Sequence, residues 1–280
     1  METIIVSSFF LLCVIYEFMT GNYRKGILNV TDLKMAAICA VGITLIQRPI
    51  VMVMIFTIAG VFLAPYQGVL AHLEQEYFWW SLLAFVMLEE YFHGLGHWLA
   101  HSRTPKLKIL RPLHKIFRTA HRPHHLIGND DEKAQMTVGQ TFVEGWMYWF
   151  VMPNVWFSFI ALYLGLAEIF IYGVIIKGLW ALHVHTNWHY DLYLLNHSNP
   201  LVRKIFHGLA HVFTFPTTHH HHHSRGPNSA KNLHNFLSLY DWLIYRTLKI
   251  ETEAPKRYGW RQKEQEKNSA FYRFTRTYDQ

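Results

Sequence analysis

From Thr141 to Leu182 the chain is almost unbroken apolar sequence for 42 positions, a longer run than a soluble core requires. At 1.5 Å per residue it makes about 63 Å of helix, enough to cross a hydrocarbon layer of about 30 Å twice, and so reads as a helical hairpin. Three apolar blocks precede it. Glu2 to Phe18 reads as a retained first span: it has no basic start and no small-residue cleavage site, and it carries Glu17 near its end. Ala36 to Tyr66 is interrupted at Gln47 and Arg48. Because a charge at the bilayer centre is costly, this block gives one crossing from Pro49 to Tyr66, with Arg48 at its entrance and the preceding stretch partly interfacial. Tyr77 to Leu88 supplies a third span. With 51% hydrophobic and 16% charged residues, the expected fold is an all-α, polytopic membrane helix bundle of about four to five spans. It forms a single membrane-embedded domain over 1–280, with N-terminal spans in 1–76, a core in 77–247 and a polar, basic tail in 248–280. Surface helix or disorder is the default for that tail.

Loop charges orient such a bundle. Arg24, Lys25, Lys34 and Arg48 lie between the first two spans, and seven basic residues with no acid fill Ser102 to Arg122. The segment 67–76 has Glu74 and Glu76 and neither Lys nor Arg. The positive-inside rule puts both basic segments on the cytosolic side. The hairpin then returns the chain to the side it left, so histidines on either side of it meet on one face. The net charge of +7 is explained by basic residues beside anionic headgroups, and no nucleic-acid partner is needed. Cys13 and Cys39 both lie in apolar blocks, which supports neither a disulfide framework nor a thiolate metal site.

Histidines carry the chemistry. His121, His124 and His125 in HRPHH share their spacing with His219, His222 and His223 in HHHHH, and steps of three and four bring imidazoles onto one helical face where they can converge on a transition metal. With 20 histidines in 280 residues, such a triad arises by chance about 0.1 times in the whole chain. A purification tag is the bland reading of the second run, but the run is internal, between FPTT and SRGPNSAKN. His97 and His101 in HWLAH stand at i and i+4, with His93 open between ligand and structural roles. His185 and His189 emerge from the hairpin at the same spacing, with His183, His197, His207 and His211 as competitors. Pro123 forbids one continuous helix through the first box, and Pro216 suits a helix start before the second. His114 is more readily explained by a basic, exposed face. His220 and His221 point away from the triad, to solvent or to an outer shell. The ten candidate ligands, His97, His101, His121, His124, His125, His185, His189, His219, His222 and His223, are too many for one tetrahedral zinc and suit two metals.

The ordered set HWLAH, HRPHH, HTN and PTTHHHHH followed by KNLHNFLSLYD resembles the fatty acid hydroxylase and sterol desaturase superfamily of membrane di-iron enzymes, over residues 85 to 247. The chain departs from that pattern in the longer stretches between His101 and His121 and between His185 and His219, and in single positions. Glu90 stands where Asp is usual, Trp98 follows the first histidine instead of Arg, Asn232 precedes Leu-His instead of Tyr-Gly, and DWLIYRT lacks a glycine. The resemblance implies a cytosolic histidine cap holding two Fe ions, with O2 as co-substrate. It implies an oxidoreductase that hydroxylates or desaturates a lipid drawn from the bilayer, an acyl chain, a sterol or a related lipid. Its electrons would come from a b-type cytochrome or an NAD(P)H-dependent reductase, in an endoplasmic reticulum or bacterial inner membrane. Trp146, Tyr148, Trp149 and Trp156 line a lipid channel or form an interfacial belt. A membrane metal-binding or transport protein, and a catalytically silent lipid-binding member, are the competing classes.

Overall fold

The computed structural model describes residues 2–21, 30–102, 105–126, 135–145, 147–225, 228–229 and 231–259. Arg24, Lys25, Arg103, Trp146 and the tail from 260 onwards lie outside the described residues. Among those described, regular structure is helical, and the one extended pairing is an isolated bridge between Ser224 and Tyr258. In chain order the helices are α1 (Glu2–Met19), α2 (Val30–Gly42), α3 (Arg48–Phe62), α4 (Ala71–Glu76), α5 (Phe78–His101), α6 (Arg111–His121), α7 (Tyr148–Val151), α8 (Pro153–Tyr163), α9 (Ala167–His185), α10 (Tyr190–Leu195), α11 (Pro200–Val212), α12 (Pro216–His222) and α13 (Ser238–Leu243). Prolines open α6, α8, α11 and α12 in their first turns, where the missing N–H has no intrahelical partner to lose.

Three helices are long and apolar enough to cross a membrane: Glu2–Met19, Lys34–Phe62 and Ala167–His185. The second runs for 29 residues, so the stretch before Arg48 is part of a continuous helix and Arg48 falls near its middle, not at its entrance. A π-helical segment, Ile43–Gln47, joins α2 to α3. It is the local response to Pro49, which removes a backbone donor and crowds the preceding turn. The apolar block after residue 141 is one long helix, α9, preceded by two short ones, α7 and α8. Residues 138–142 form a 3-10 turn, and α8 has 11 residues, about 16 Å and too short to cross by itself. Met152 is extended before Pro153, and Gly165 turns the chain into α9 at φ +107, where an added Cβ would meet the Gly68 and Ala71 backbone at 3.0 Å. α5 has 24 residues but is not among the three spans, since its apolar half runs into Glu89, Glu90 and three histidines.

The main core lies between α3, α5, α8 and α9, with Ile55, Phe85, Met152, Phe159 and Ile169 nearly inaccessible. Outward faces of α1 and α3 expose Leu11, Leu12, Val53, Val61 and Phe62, as helices facing hydrocarbon do. α1 lies beside α9, packing Cys13 against Leu182. A buried cluster ties α5 to α9: Lys177 reaches Glu89 at 2.9 Å and also pairs with Glu90, while Asn154 donates to Glu89 at 2.7 Å.

Candidate metal centre

Four segments bring nine imidazoles together in two adjoining groups. His97, His101, His121, His125 and His222 form the first, and His124, His185, His219 and His223 the second, with the donor atoms in each group within 4.8 Å of one another. The two boxes are interleaved. The first sends His121 and His125 to one group and His124 to the other; the second sends His222 to one and His219 and His223 to the other. This split follows from the backbone. After α6 ends at His121, Pro123 sits in a 3-10 turn over Arg122–His125, so His124 and His125 project in different directions.

Spacing between nitrogens supports shared ions. Nε2 atoms stand 2.7 Å apart for His97 and His121, 3.0 Å for His121 and His125, 3.2 Å for His124 and His185, and 3.1 Å for both His185–His219 and His219–His223. Two ligands about 2.05 Å from an ion and about 90–100° apart are separated by about 2.9–3.1 Å. Second partners fix the tautomers. His97 Nδ1 donates to the Leu233 carbonyl, His222 Nδ1 to Lys231 O at 2.7 Å, His185 Nδ1 to Ala181 O at 2.6 Å, and His124 Nδ1 to Val143 O at 3.2 Å. A carbonyl only accepts, so each Nδ1 keeps its proton and each Nε2 offers a lone pair. The buried His222 Nε2 has no partner in the protein, as a metal ligand would not.

The segment 231–234 thus orients two ligands of the first group, and it is itself held. Asn232 adopts φ +54; its side chain donates to Thr218 O and Lys249 O, both at 3.0 Å, and accepts from Lys249 N at 2.7 Å. Asp241 accepts the amides of Leu233 and His234, both at 2.9 Å. Glu90 accepts those of Phe236 and Leu237 at 2.8 and 3.0 Å. α12 is fixed at its start by Asp191, which accepts from the Thr217 amide at 2.8 Å and hydroxyl at 2.9 Å, a carboxylate where a helix N-terminus favours one.

Burial, followed by neighbouring imidazoles, holds His121, His125, His219 and His223 well below the usual histidine range. His124 is lowered in the same way, and burial brings His222 down to about 4. These imidazoles are therefore neutral at neutral pH, the form that binds metal. Glu144 is buried against them, its carboxylate oxygens 3.6 Å from His121 Nδ1 and 3.4 Å from His124 Nδ1. Burial pushes its carboxyl well above the usual range. The hydrogen bond from Gly145 N to Ala120 O at 2.7 Å presses this strip of chain onto α6, and a Cβ at Gly145 would run into the Ala120 backbone.

Of the ten expected ligands, His189 alone lies outside both groups. α9 stops at His185 because Thr186 turns extended, at φ −66 and ψ 148, so the i, i+4 relation to His189 is lost. His189 Nδ1 instead meets Thr217 Oγ1 at 3.2 Å, and its ring packs on His220. His93 lies against His97, with ring centroids 5.0 Å apart, outside the groups. His183 pairs with the Tyr190 hydroxyl at 2.9 Å, and His207 is exposed on α11. His114 is buried, not exposed, at 2.9 Å from Ser102 O. His220 is buried and 2.7 Å from the Tyr258 hydroxyl, while His221 is half-buried beside Glu253 O. Residues 249–259 thus lie over the second box instead of leaving as a free tail. Glu144 and the carbonyls of Lys231 and Leu233 carried no sequence signal. Glu144 sat inside an apolar block, and a carbonyl belongs to every residue.

A cavity of about 340 Å3 reaches the centre. Its wall includes His97, His124, His185 and His219 together with Val6, Phe10, Phe142, Tyr148, Trp149 and Leu182. Trp156 lies outside it, donating to Phe150 O at 2.8 Å. The donor set, imidazole alone, suits iron, zinc, copper or nickel, and the groups of five and four fit two ions. No family model, curated protein or solved structure matches this chain.

Proposed function

We propose that the chain is a membrane-bound, oxygen-dependent di-iron enzyme that hydroxylates or desaturates a lipid, the activity implied by its resemblance to the fatty acid hydroxylase and sterol desaturase superfamily. The observation that carries this reading is the meeting of nine imidazoles, in two adjoining groups, with a largely apolar cavity of lipid-binding size. Two irons held there would supply the oxygen activation that an unreactive C–H bond requires. The protein's part is positional. Phe10, Phe142 and Leu182 keep water from the reacting carbon, and the carbonyls of Leu233, Lys231, Val143 and Ala181 hold the imidazoles in their ligating tautomers. Basic residues of 102–122 favour a cytosolic cap, where a b-type cytochrome or reductase delivers electrons. α6 suits that interface, with Leu113 and Ile116 exposed beside Arg111 and Lys115.

Metal analysis of the purified chain, oxygen uptake with lipid extracts, and mass spectrometry of lipids from cells with and without the protein test this proposal together. The expected result is bound iron, oxygen consumption, and lipids that gain one oxygen atom or lose two hydrogens. Metal flux across vesicles without oxygen consumption would replace it with a transporter.

A further inference from the structure

Arg48 sits where the π-helical segment passes into α3, near the middle of the apolar helix Lys34–Phe62. An arginine there is costly unless its charge and its five N–H donors are met. Glu2 of α1 meets the charge, with Nη2 to Oε1 at 3.3 Å, and the Phe170 ring lies 5.9 Å from the guanidinium carbon. Among the described residues this is the one hydrogen bond its side chain makes. Its remaining donors belong to a group that lines the cavity of the metal centre.

That group sits in a polar patch. Thr3, Ser7 and Thr44, each within about a turn and a half of Glu2 or Arg48 along its helix, line the same cavity. The imidazoles form a second pole. Glu17, near the far end of α1, accepts the Asn187 amide at 3.2 Å, just beyond His185. Glu2 lies fifteen residues back along the same helix, about 22 Å. Val6, Phe10 and Leu182 give the wall an apolar stretch along α1 and α9, and Thr141, Asn154 and Asn235 also line the cavity. At about 340 Å3 the cavity is little more than twice the roughly 150 Å3 that holds one benzene, room for one chain and not two.

We propose that Arg48, braced by Glu2, holds the oxygen-bearing end of a single-chain lipid whose hydrocarbon body runs along α1 to the imidazoles. This rests on the reading of the cavity as the lipid site and adds the end by which the lipid is held. The unmet donors call for acceptor oxygens, which a carboxylate or a hydroxyl supplies and a hydrocarbon does not.

The test is saturation binding of radiolabelled octadecanoic acid, octadecanol and octadecane to the full chain in detergent, metal-loaded and metal-stripped. The acid or the alcohol binds about tenfold or more tighter than octadecane, a difference of about 1.4 kcal/mol, and the one that does names the head group. Arg48→Leu brings all three within about twofold, and Arg48→Lys restores part of the gap. Octadecane binding as tightly as both oxygenated chains overturns the proposal, as does a well-behaved Arg48→Leu protein that keeps the preference. If Arg48→Leu does not fold, Glu2→Gln reports instead: removing its negative charge shifts preference towards the acid, and an unchanged ratio counts against the site. Because binding alone is read, a chain that discriminates head groups yet consumes no oxygen sinks the enzyme reading and leaves this one standing.

Discussion

His125 and His223 stack with ring centroids 4.3 Å apart and planes 22° from parallel, and each belongs to a different group of imidazoles. The first box and the second are therefore joined at a contact between the two candidate metal positions. Loss of either ring removes a ligand from one group and a packing surface from the other.

His125→Ala and His223→Ala should accordingly each lower bound metal from about two ions per chain to fewer than one, because ligand and packing losses in one cluster do not add independently. Inductively coupled plasma analysis of purified protein reads this. His207→Ala, exposed on α11, serves as the control and should change nothing.

Glu144 faces one imidazole of each group. Glu144→Ala should weaken metal retention by about 10–100-fold, the usual effect of losing an orienting partner, and Glu144→Gln, which keeps an acceptor oxygen, should lose less. Chelator competition ranks the three proteins. Equal retention in wild type and the alanine variant would remove Glu144 from the centre.

Asp241 gives a pH dependence. Burial alone would raise its carboxyl, but His234, Thr247 and the backbone amide of His234 together hold it below its ordinary value of 3.8. A depressed folded value stabilises the protein above the unfolded one and is lost as pH falls through the folded one. Asp241→Asn should therefore cost about 1.5–3 kcal/mol near neutral pH, with the gap to wild type closing below about pH 4. Thermal denaturation of both proteins across pH 3 to 8 would measure it. A gap that widened towards acid would contradict the assignment.

Lys177, Glu89 and Glu90 form a buried charged cluster between α5 and α9. Lys177→Met alone should destabilise by about 3–5 kcal/mol by leaving carboxylates uncompensated, and adding Glu89→Gln and Glu90→Gln should recover part of that loss. Detergent-solubilised melting temperatures would show whether the triple variant exceeds the single one.

Helical character and the meeting of the two boxes were legible because they depend on local signals: apolar runs set helices, and spacings of three and four set ligand faces. Nine of the ten candidate histidines reach the groups, His185 among them without the i, i+4 partner expected for it. His189 fails because a helix end at Thr186 is a matter of one ψ angle, which the LHVHTNWH pattern does not reveal. How the boxes divide between the groups was hidden for a related reason, since Pro123 announces a break but not the 3-10 turn that aims His124 away from His125. Arg48 lies mid-helix and not at a helix entrance because its charge is met by Glu2, a partner from a different block of sequence that no local pattern reveals.

Counting metal ions per chain tests the central claim most directly. The purified protein should carry about two metal ions, and a variant with His219, His222 and His223 all replaced by alanine should carry none. A wild-type chain with no bound metal, or a triple variant that still holds two ions, would contradict a bimetallic centre shared between the boxes.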